Sequence, residues 1–347
     1  MLSSILSLSA LPLLLSNYSL STSLNLLFFH LTWSTLVLSH STLTIELVGS
    51  LLIRALFFLL PTTFFLLLHA SLPAVTESWK SSSRVKKSRS RRGGGGQGVL
   101  KLISVALANI LLATLCQAAI EYLVVYALGR KSAVKIAKTL PSPAGALWDL
   151  LIAEMMREGL AYAIHRYLLH SHSKSSSWGG RARGYLTKKH NAWAHGSSCG
   201  YPSTAATQAT SFTSHYDHPI PYLLHHFVPT YLPGTVLRMH ILTFFIHLML
   251  ISLTEAVGYS GYVDAPTGWI PFGFILGWVT RRVDGHFGSG GKSGYGVWGI
   301  ADWLGGTRVE VGGEEWVRGG LGRRVERVER VEEVVDGRGR GGRRRKE

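Results

Sequence analysis

Long apolar stretches alternate with short polar, basic or glycine-rich ones along this chain of 347 residues. Residues 1–38 carry no Asp, Glu, Lys or Arg and are rich in Ser and Leu, the pattern of a targeting segment or of a first membrane span. Residues 43–72 contain the roughly 20 apolar residues that a transmembrane helix needs, interrupted by Arg54 and Pro61. Between Thr76 and Gly98 the composition turns to Ser, Lys and Arg and then to GGGGQG, with no apolar set to bury; this predicts a flexible linker and the main boundary. Residues 99–128 form a second apolar run of about one tilted span. After the Pro141–Pro143 turn, Ala144 to His170 has a helical pattern carrying Asp149, Glu154, Arg157 and Glu158, charges that suit a helix facing a protein interior or a membrane surface. The last apolar block, 239–279, is broken by YVDAPTG at 262–268 and predicts a hairpin that returns His286 to the side of the earlier histidines. From Gly305 onward Gly, Arg, Glu and Val dominate, and apart from a short helical pattern in VERVERVEEVV the tail reads as disordered. The pattern divides the chain into an N-terminal hydrophobic part (1–75), a basic Gly/Ser linker (76–98), a membrane domain (99–305) and a charged tail (306–347), all-α wherever it is ordered.

Composition points the same way. Apolar residues make up 46% and charged residues 16%, against about a quarter charged in a usual soluble domain. The net charge of +16 is concentrated in Lys80–Arg92, Arg130–Lys138 and Lys174–Lys189. The first two runs lack interleaved aromatics, the third holds only Trp178 and Tyr185, and all lie between apolar segments, so they read as orientation signals and lipid-headgroup contacts and not as nucleic-acid surfaces. Basic residues flank both ends of 99–128; the reading adopted places the histidines on the cytosolic side. The two cysteines, Cys116 and Cys199, build neither a disulfide framework nor a cysteine metal site.

Histidines supply the candidate chemistry. They occur as His165 and His170 in HRYLLH, His190 and His195 in HNAWAH, and His215 and His218 in HYDH, with the doublet His225–His226 and a late His286. Neutral imidazole is a common transition-metal ligand, and a set of imidazoles without cysteine suits iron, copper or zinc. His215 and His218, three apart, are expected to share a helical face. His165 and His170 lie about 140° apart on an ideal helix, so they reach one metal only if the helix end distorts or they flank the site. His30, His40, His69 and His247 sit in or near apolar helices and read as structural. His225–His226 lie among aromatic and proline residues and suit an interfacial segment as well as a ligand role. GSGGKSGYG at 288–296 is not a phosphate loop, because that motif needs glycine where His286 stands.

Taken in order, AIHRYLLH, HNAWAH, SHYDHP, RMHILTFFIHLMLISLTEAVGYSGY, RRVDGHF and GYGVWGIADWLGGT resemble the fatty acid hydroxylase and sterol desaturase superfamily over about residues 145–308. The resemblance implies an integral membrane helical bundle of the endoplasmic reticulum with a histidine-rich cytosolic cap. It further implies two non-haem irons, held by His165, His170, His190, His195, His215, His218 and His286, with Asp217 and Asp284 as supporting or substitute ligands. O₂ would be the co-substrate, a sterol or fatty-acyl lipid the substrate, and cytochrome b5 or another NAD(P)H-dependent reductase the separate electron donor. No side chain beyond the metal site is implied as catalytic. The chain departs from the family pattern at Ala194, where the second box has paired histidines, and at 282–286, where only the final histidine of the last box stands. Two other readings stand beside this one: a relative that keeps the fold without iron, and a b-type haem membrane protein with two axial histidines.

Overall fold

The computed structural model describes residues 20–80, 97–171, 177–195, 210–263 and 273–309. Every regular element among them is helical, and an isolated bridge between Lys135 and His240 is the extended pairing found there. The N-terminal helices are α1 (Leu20–Ser39), α2 (Thr42–Ser71) and α3 (Pro73–Trp79). They are followed by α4 (Gln97–Tyr122), α5 (Pro143–Ile164) and α6 (Trp178–His190). Next come the short α7 (Pro219–Tyr222) and α8 (Val228–Val236), the apolar α9 (Ile241–Gly258), then α10 (Gly273–Gly288) and α11 (Ile300–Leu304). The starts of α2 and α5 follow from their caps: Ser41 accepts from the Thr44 N–H, and Ser142 accepts from the Gly145 N–H with Pro143 in the first turn.

Among the described residues, three helices are long and apolar enough to cross a membrane: Thr42–Ser71, Val99–Ala127 and Ile241–Gly258. The third is 61% buried within the protein against 11% and 22% for the other two, so α9 is the central helix and the others present most of their surface outward. Their polar residues turn inward and find partners, as a segment without water requires. Glu46 Oε1 accepts from Gln117 Nε2 at 2.8 Å and from the Tyr231 hydroxyl at 2.9 Å, Glu121 accepts from the Ala133 N–H, and Arg54 pairs with Glu255. Phe58, Leu102, Ala106, Ile110, Phe212, Tyr216 and Ala256 form an apolar cluster, and Phe58 of this cluster packs edge-on against His215.

The hairpin expected of 239–279 is present in its two arms. Thr280 Oγ1 on α10 donates to the Val257 carbonyl on α9 at 3.2 Å. Gly258 is required by this approach, since a β-carbon there would lie 2.8 Å from Val279 Cγ1. Of the break expected at 262–268, residues 264–268 lie outside the described residues. Two predicted boundaries move. Thr76–Trp79, assigned to the linker, closes α3, because Pro73 starts a turn whose Thr76 hydroxyl bonds the Leu72 carbonyl and the His69 ring. Residues 306–308, assigned to the tail, pack on the fold through Thr307. The remainder of the linker, 81–96, and of the tail, 310–347 with VERVERVEEVV, lies outside the described residues, as do residues 1–19. Of the first apolar segment, α1 is held against the fold by Trp33 Nε1 donating to the Ala137 carbonyl at 2.9 Å.

Candidate metal centre

The histidine pairs converge because the helices that carry them change pitch. His165–Leu169, Asn191–His195 and Leu223–Phe227 are single π-helical turns, each placed at a histidine group. In such a turn the N–H of residue i+5 bonds the carbonyl of residue i, as the His170 N–H does to the His165 carbonyl at 3.0 Å. Residues five apart then face the same way. The distortion that the spacing of His165 and His170 demands is therefore built into the end of α5, and the two ring centroids lie 4.9 Å apart. His190 and His195 are brought to 5.1 Å by the second π turn. One nitrogen from each of His165, His170, His190 and His195 lies within 4.8 Å of the others, so these four can hold a metal ion. His286 Nε2 is 3.3 Å from His195 Nε2, and the His225 ring is 4.2 Å from His165.

Backbone and carboxylate acceptors set the tautomers. His165 Nδ1 is 3.2 Å from the Tyr295 carbonyl, His286 Nδ1 is 2.7 Å from the Ser293 carbonyl, and His190 Nδ1 is 2.6 Å from Asp217 Oδ2. Each acceptor takes the Nδ1 proton and leaves Nε2 with a lone pair. The Nε2 atoms of His165 and His190 are buried without a hydrogen-bond partner, and His215 Nε2 has only Glu255 near it at 3.3 Å. Buried polar atoms are ordinarily satisfied, and such nitrogens gathered in one array are suited to act as metal ligands. Asp217 also accepts from the His218 N–H through Oδ1 at 2.6 Å, and Asn109 Nδ2 holds the carbonyls of His215 and Asp217 at 2.9 Å each. Because Asn109 fixes the strap independently, Asp217→Asn is expected to leave the fold intact while lowering metal affinity about 10- to 100-fold, measurable by competition with a chromophoric chelator.

A second group continues the array. His225 and His226 stand side by side at 4.9 Å, and His226 is 5.5 Å from His215. Glu255, from the middle of the protein, reaches His215 Nε2 at 3.3 Å with one oxygen and His226 Nδ1 at 3.5 Å with the other. Arg54 from α2 offsets its charge. His215 is fixed from its other side by Nδ1 against the Tyr222 hydroxyl at 2.9 Å and by the edge of Phe58 at 4.4 Å between centroids.

Burial holds the rings neutral. It pushes His215 and His286 down to about 4, and burial together with neighbouring imidazoles keeps His165, His195 and His225 well below the ordinary histidine range. The unfolded chain takes up protons at these rings near pH 6.5, whereas the folded chain refuses them until about pH 4 at His215 and His286. Stability is therefore full above pH 6.5 and lost on acidification, by about 1.4 kcal/mol per pH unit per ring. The thermal midpoint of metal-free protein in detergent is expected to fall steeply from pH 6.5 to 4 and to be flat from 7 to 8.

The loop after α10 is cast around two carboxylates. Glu158 accepts from the N–H groups of Val297 and Trp298 at 2.7 Å, Gly299 at 2.9 Å and Ala301 at 3.1 Å. Asp302 accepts from the N–H groups of Tyr295 and Gly296, from Thr307 and from Arg282 Nη2. This clamp presents the Tyr295 carbonyl to His165. Gly291, at φ +79°, lets the same loop lie against His170, whose Cε1 would be 2.4 Å from any β-carbon there.

Of the predicted residues, His165, His170, His190, His195 and His286 come together, and His215 lies next to them in the second group. Asp217 supports His190. Asp284 is half-buried on α10, two residues before His286. The expectation that His215 and His218 share a helical face is corrected: His215 ends the 3₁₀ turn Ser211–His215, and His218 is extended at φ −64°, ψ 137°. Pro219 forces that geometry on the residue before it. His218 accordingly turns to cap α7, accepting from the Ile220 N–H at 3.3 Å, and packs by Trp193 and Tyr185, while Asp217 points inward in its place. His69 keeps a hydrogen-bonded structural place with Thr76 at 2.8 Å, and His247 lies against Glu154 at 2.9 Å. Glu255 escaped the sequence reading, and Arg54 and Glu158 were noted there without a role at the site, although charged residues inside apolar runs are the general signal for such groups. No known family model matches this chain, and no solved structure matches it.

Proposed function

We propose that the protein is a membrane-embedded non-haem di-iron oxidoreductase that uses O₂ to hydroxylate or desaturate a lipid, of the kind found in the fatty acid hydroxylase and sterol desaturase superfamily. The observation that carries this reading is the array of neutral imidazoles with buried, lone-pair-bearing Nε2 atoms, gathered by three π turns and bordered by helices apolar enough to lie in a bilayer. One iron would be held among His165, His170, His190, His195 and His286, and a second among His215, His225, His226 and Glu255. When bound, iron supplies the redox chemistry by which dioxygen attacks an unactivated C–H bond, which no amino-acid side chain can do.

The chain's own residues prepare that chemistry. Low proton affinity keeps His165, His195, His215, His225 and His286 available as ligands at neutral pH. Asp217 and the carbonyls of Tyr295 and Ser293 hold the Nδ1 protons and aim the rings. Arg54 balances the carboxylate of Glu255, so the site carries less net negative charge. A cavity lined by His165, His225, His226, Glu255 and His286 adjoins the array, and its wall also includes the apolar Ala161, Val279, Val283 and Phe287, beside which a substrate excludes water. Electrons come in this proposal from a separate cytochrome b5 or NAD(P)H-dependent reductase at the endoplasmic reticulum. The test is expression in a desaturase-deficient host under ¹⁸O₂ with lipid profiling. A lipid that gains one labelled oxygen or loses two hydrogens, absent in a His165→Ala, His190→Ala double variant, supports the proposal. An iron-loaded protein with no such product across sterol and acyl lipids overturns it.

A further inference from the structure

Polar residues form a stripe along the apolar helix α2. Glu46, Ser50 and Arg54 follow at intervals of four, so they share one face over about 12 Å. Glu46 is fully buried. Both of its side-chain hydrogen bonds, from Gln117 Nε2 on α4 and from the Tyr231 hydroxyl on α8, go to Oε1, and Oε2 has no partner. Gln117 Nε2 also donates to Ser50 Oγ at 3.1 Å. A second buried carboxylate, Glu121, follows Gln117 by one turn of α4 and likewise keeps one oxygen without a partner. Among the described residues no cationic side chain pairs with either carboxylate. A bare carboxylate inside an apolar span is costly, and intramembrane carboxyl groups of this kind serve in proton relays.

The groups that hold Glu46 also wall a cavity of about 30 Å³, room for about two waters at about 10 to 15 Å³ each. Ser50, Gln117 and Tyr231 line it together with Arg54 and His226. His226 lines the cavity beside the histidine array as well, and its Nδ1 lies 3.5 Å from Glu255. We propose that Glu46 holds a dissociable proton and exchanges it with the second histidine group, through the Tyr231 and Ser50 hydroxyls and water in this cavity. Hydroxyls and water both donate and accept, as a relay requires, whereas the Gln117 amide holds the geometry. The step moves a proton and nothing else: the O–H bond at Glu46 Oε2 breaks, an O–H bond to the next oxygen forms, and a proton leaves at the His226 end. On the other side Glu121 accepts from the Ala133 N–H in the loop after α4, where Arg130 and Lys131 are exposed, and this is the direction from which the proton is replaced. What consumes the proton rests on the oxidoreductase reading, in which hydroxylation takes up two electrons and two protons for each O₂ (RH + O₂ + 2e⁻ + 2H⁺ → ROH + H₂O); the relay itself does not.

The experiment is infrared difference spectroscopy of the full-length protein in ester-free detergent, in H₂O and after transfer to D₂O, with iron measured on the same samples. The carbonyl stretch of a protonated carboxyl is expected at neutral pH, absent from Glu46→Gln, retained in Glu121→Gln, and raised in frequency in Tyr231→Phe, which loses a donor to Oε1. Should Glu46→Gln fail to fold, the shift in Tyr231→Phe identifies the band. Ala113→Leu, which narrows the cavity without touching a polar group, is expected to keep the band and to slow its deuterium exchange about tenfold or more. The absence of a protonated carboxyl at Glu46, a band lost in Glu121→Gln and kept in Glu46→Gln, or exchange unchanged in Ala113→Leu overturns the inference, and Glu46 is then a structural acceptor for Gln117 and Tyr231. Iron-free protein whose Glu46 proton exchanges through the cavity supports the relay and counts against the oxidoreductase reading; iron-loaded protein with Glu46 ionised does the reverse.

Discussion

Glu158→Ala is expected to destabilise the protein by roughly 4 kcal/mol or more, at about 1 to 3 kcal/mol for each buried N–H left without an acceptor. Glu158 carries four such bonds, to Val297, Trp298, Gly299 and Ala301, and is itself buried. A loss of that size is rare for a single substitution and marks a broken network. The damage should begin in the loop 289–308 and spread to the array, because the loop presents the Tyr295 and Ser293 carbonyls that fix His165 and His286. Glu158→Gln keeps the shape and only one acceptor oxygen, so it should fall between. Thermal unfolding in detergent combined with limited proteolysis of the loop checks both; wild-type protection of the loop in Glu158→Ala would show that the carboxylate is not its anchor.

His165→Ala is expected to lower metal affinity by more than the about 10- to 100-fold lost when a supporting residue is removed. His165 is the hub: its ring lies within 5.3 Å of those of His170, His190, His225 and His286. Removing the buried ring also leaves a cavity and strands the Tyr295 carbonyl, so the metal-free variant is expected to be less stable than metal-free wild type while remaining folded. Titration with cobalt(II), read by its visible bands, separates the two effects. An unchanged affinity would mean that the four-histidine set is a packed polar cluster and no ligand shell.

Much of this arrangement was legible in the chain. Apolar runs of span length gave α2, α4 and α9, and the break at 262–268 gave the α9/α10 hairpin that returns His286. The five-residue spacing of His165 and His170 announced a distorted helix end, and the π turn supplies it. Reading His215 and His218 as helical neighbours failed for a local reason, the conformation Pro219 imposes on His218. The roles of Glu255, Arg54 and Glu158 depended on tertiary approach between residues far apart in sequence, 201 apart for Arg54 and Glu255, and no local pattern encodes that. His225–His226 were ambiguous for the same reason: only the approach of α5 to the π turn at 223–227 decides that they face the array.

The central claim is that the histidine array binds a transition metal, and elemental analysis of detergent-purified protein tests it most directly. About two irons per chain in the wild type, lost from His165→Ala, His190→Ala protein of unchanged helicity, is the result this account predicts. Folded wild-type protein that holds no iron after anaerobic reloading with ferrous ion, and no other transition metal, would contradict it.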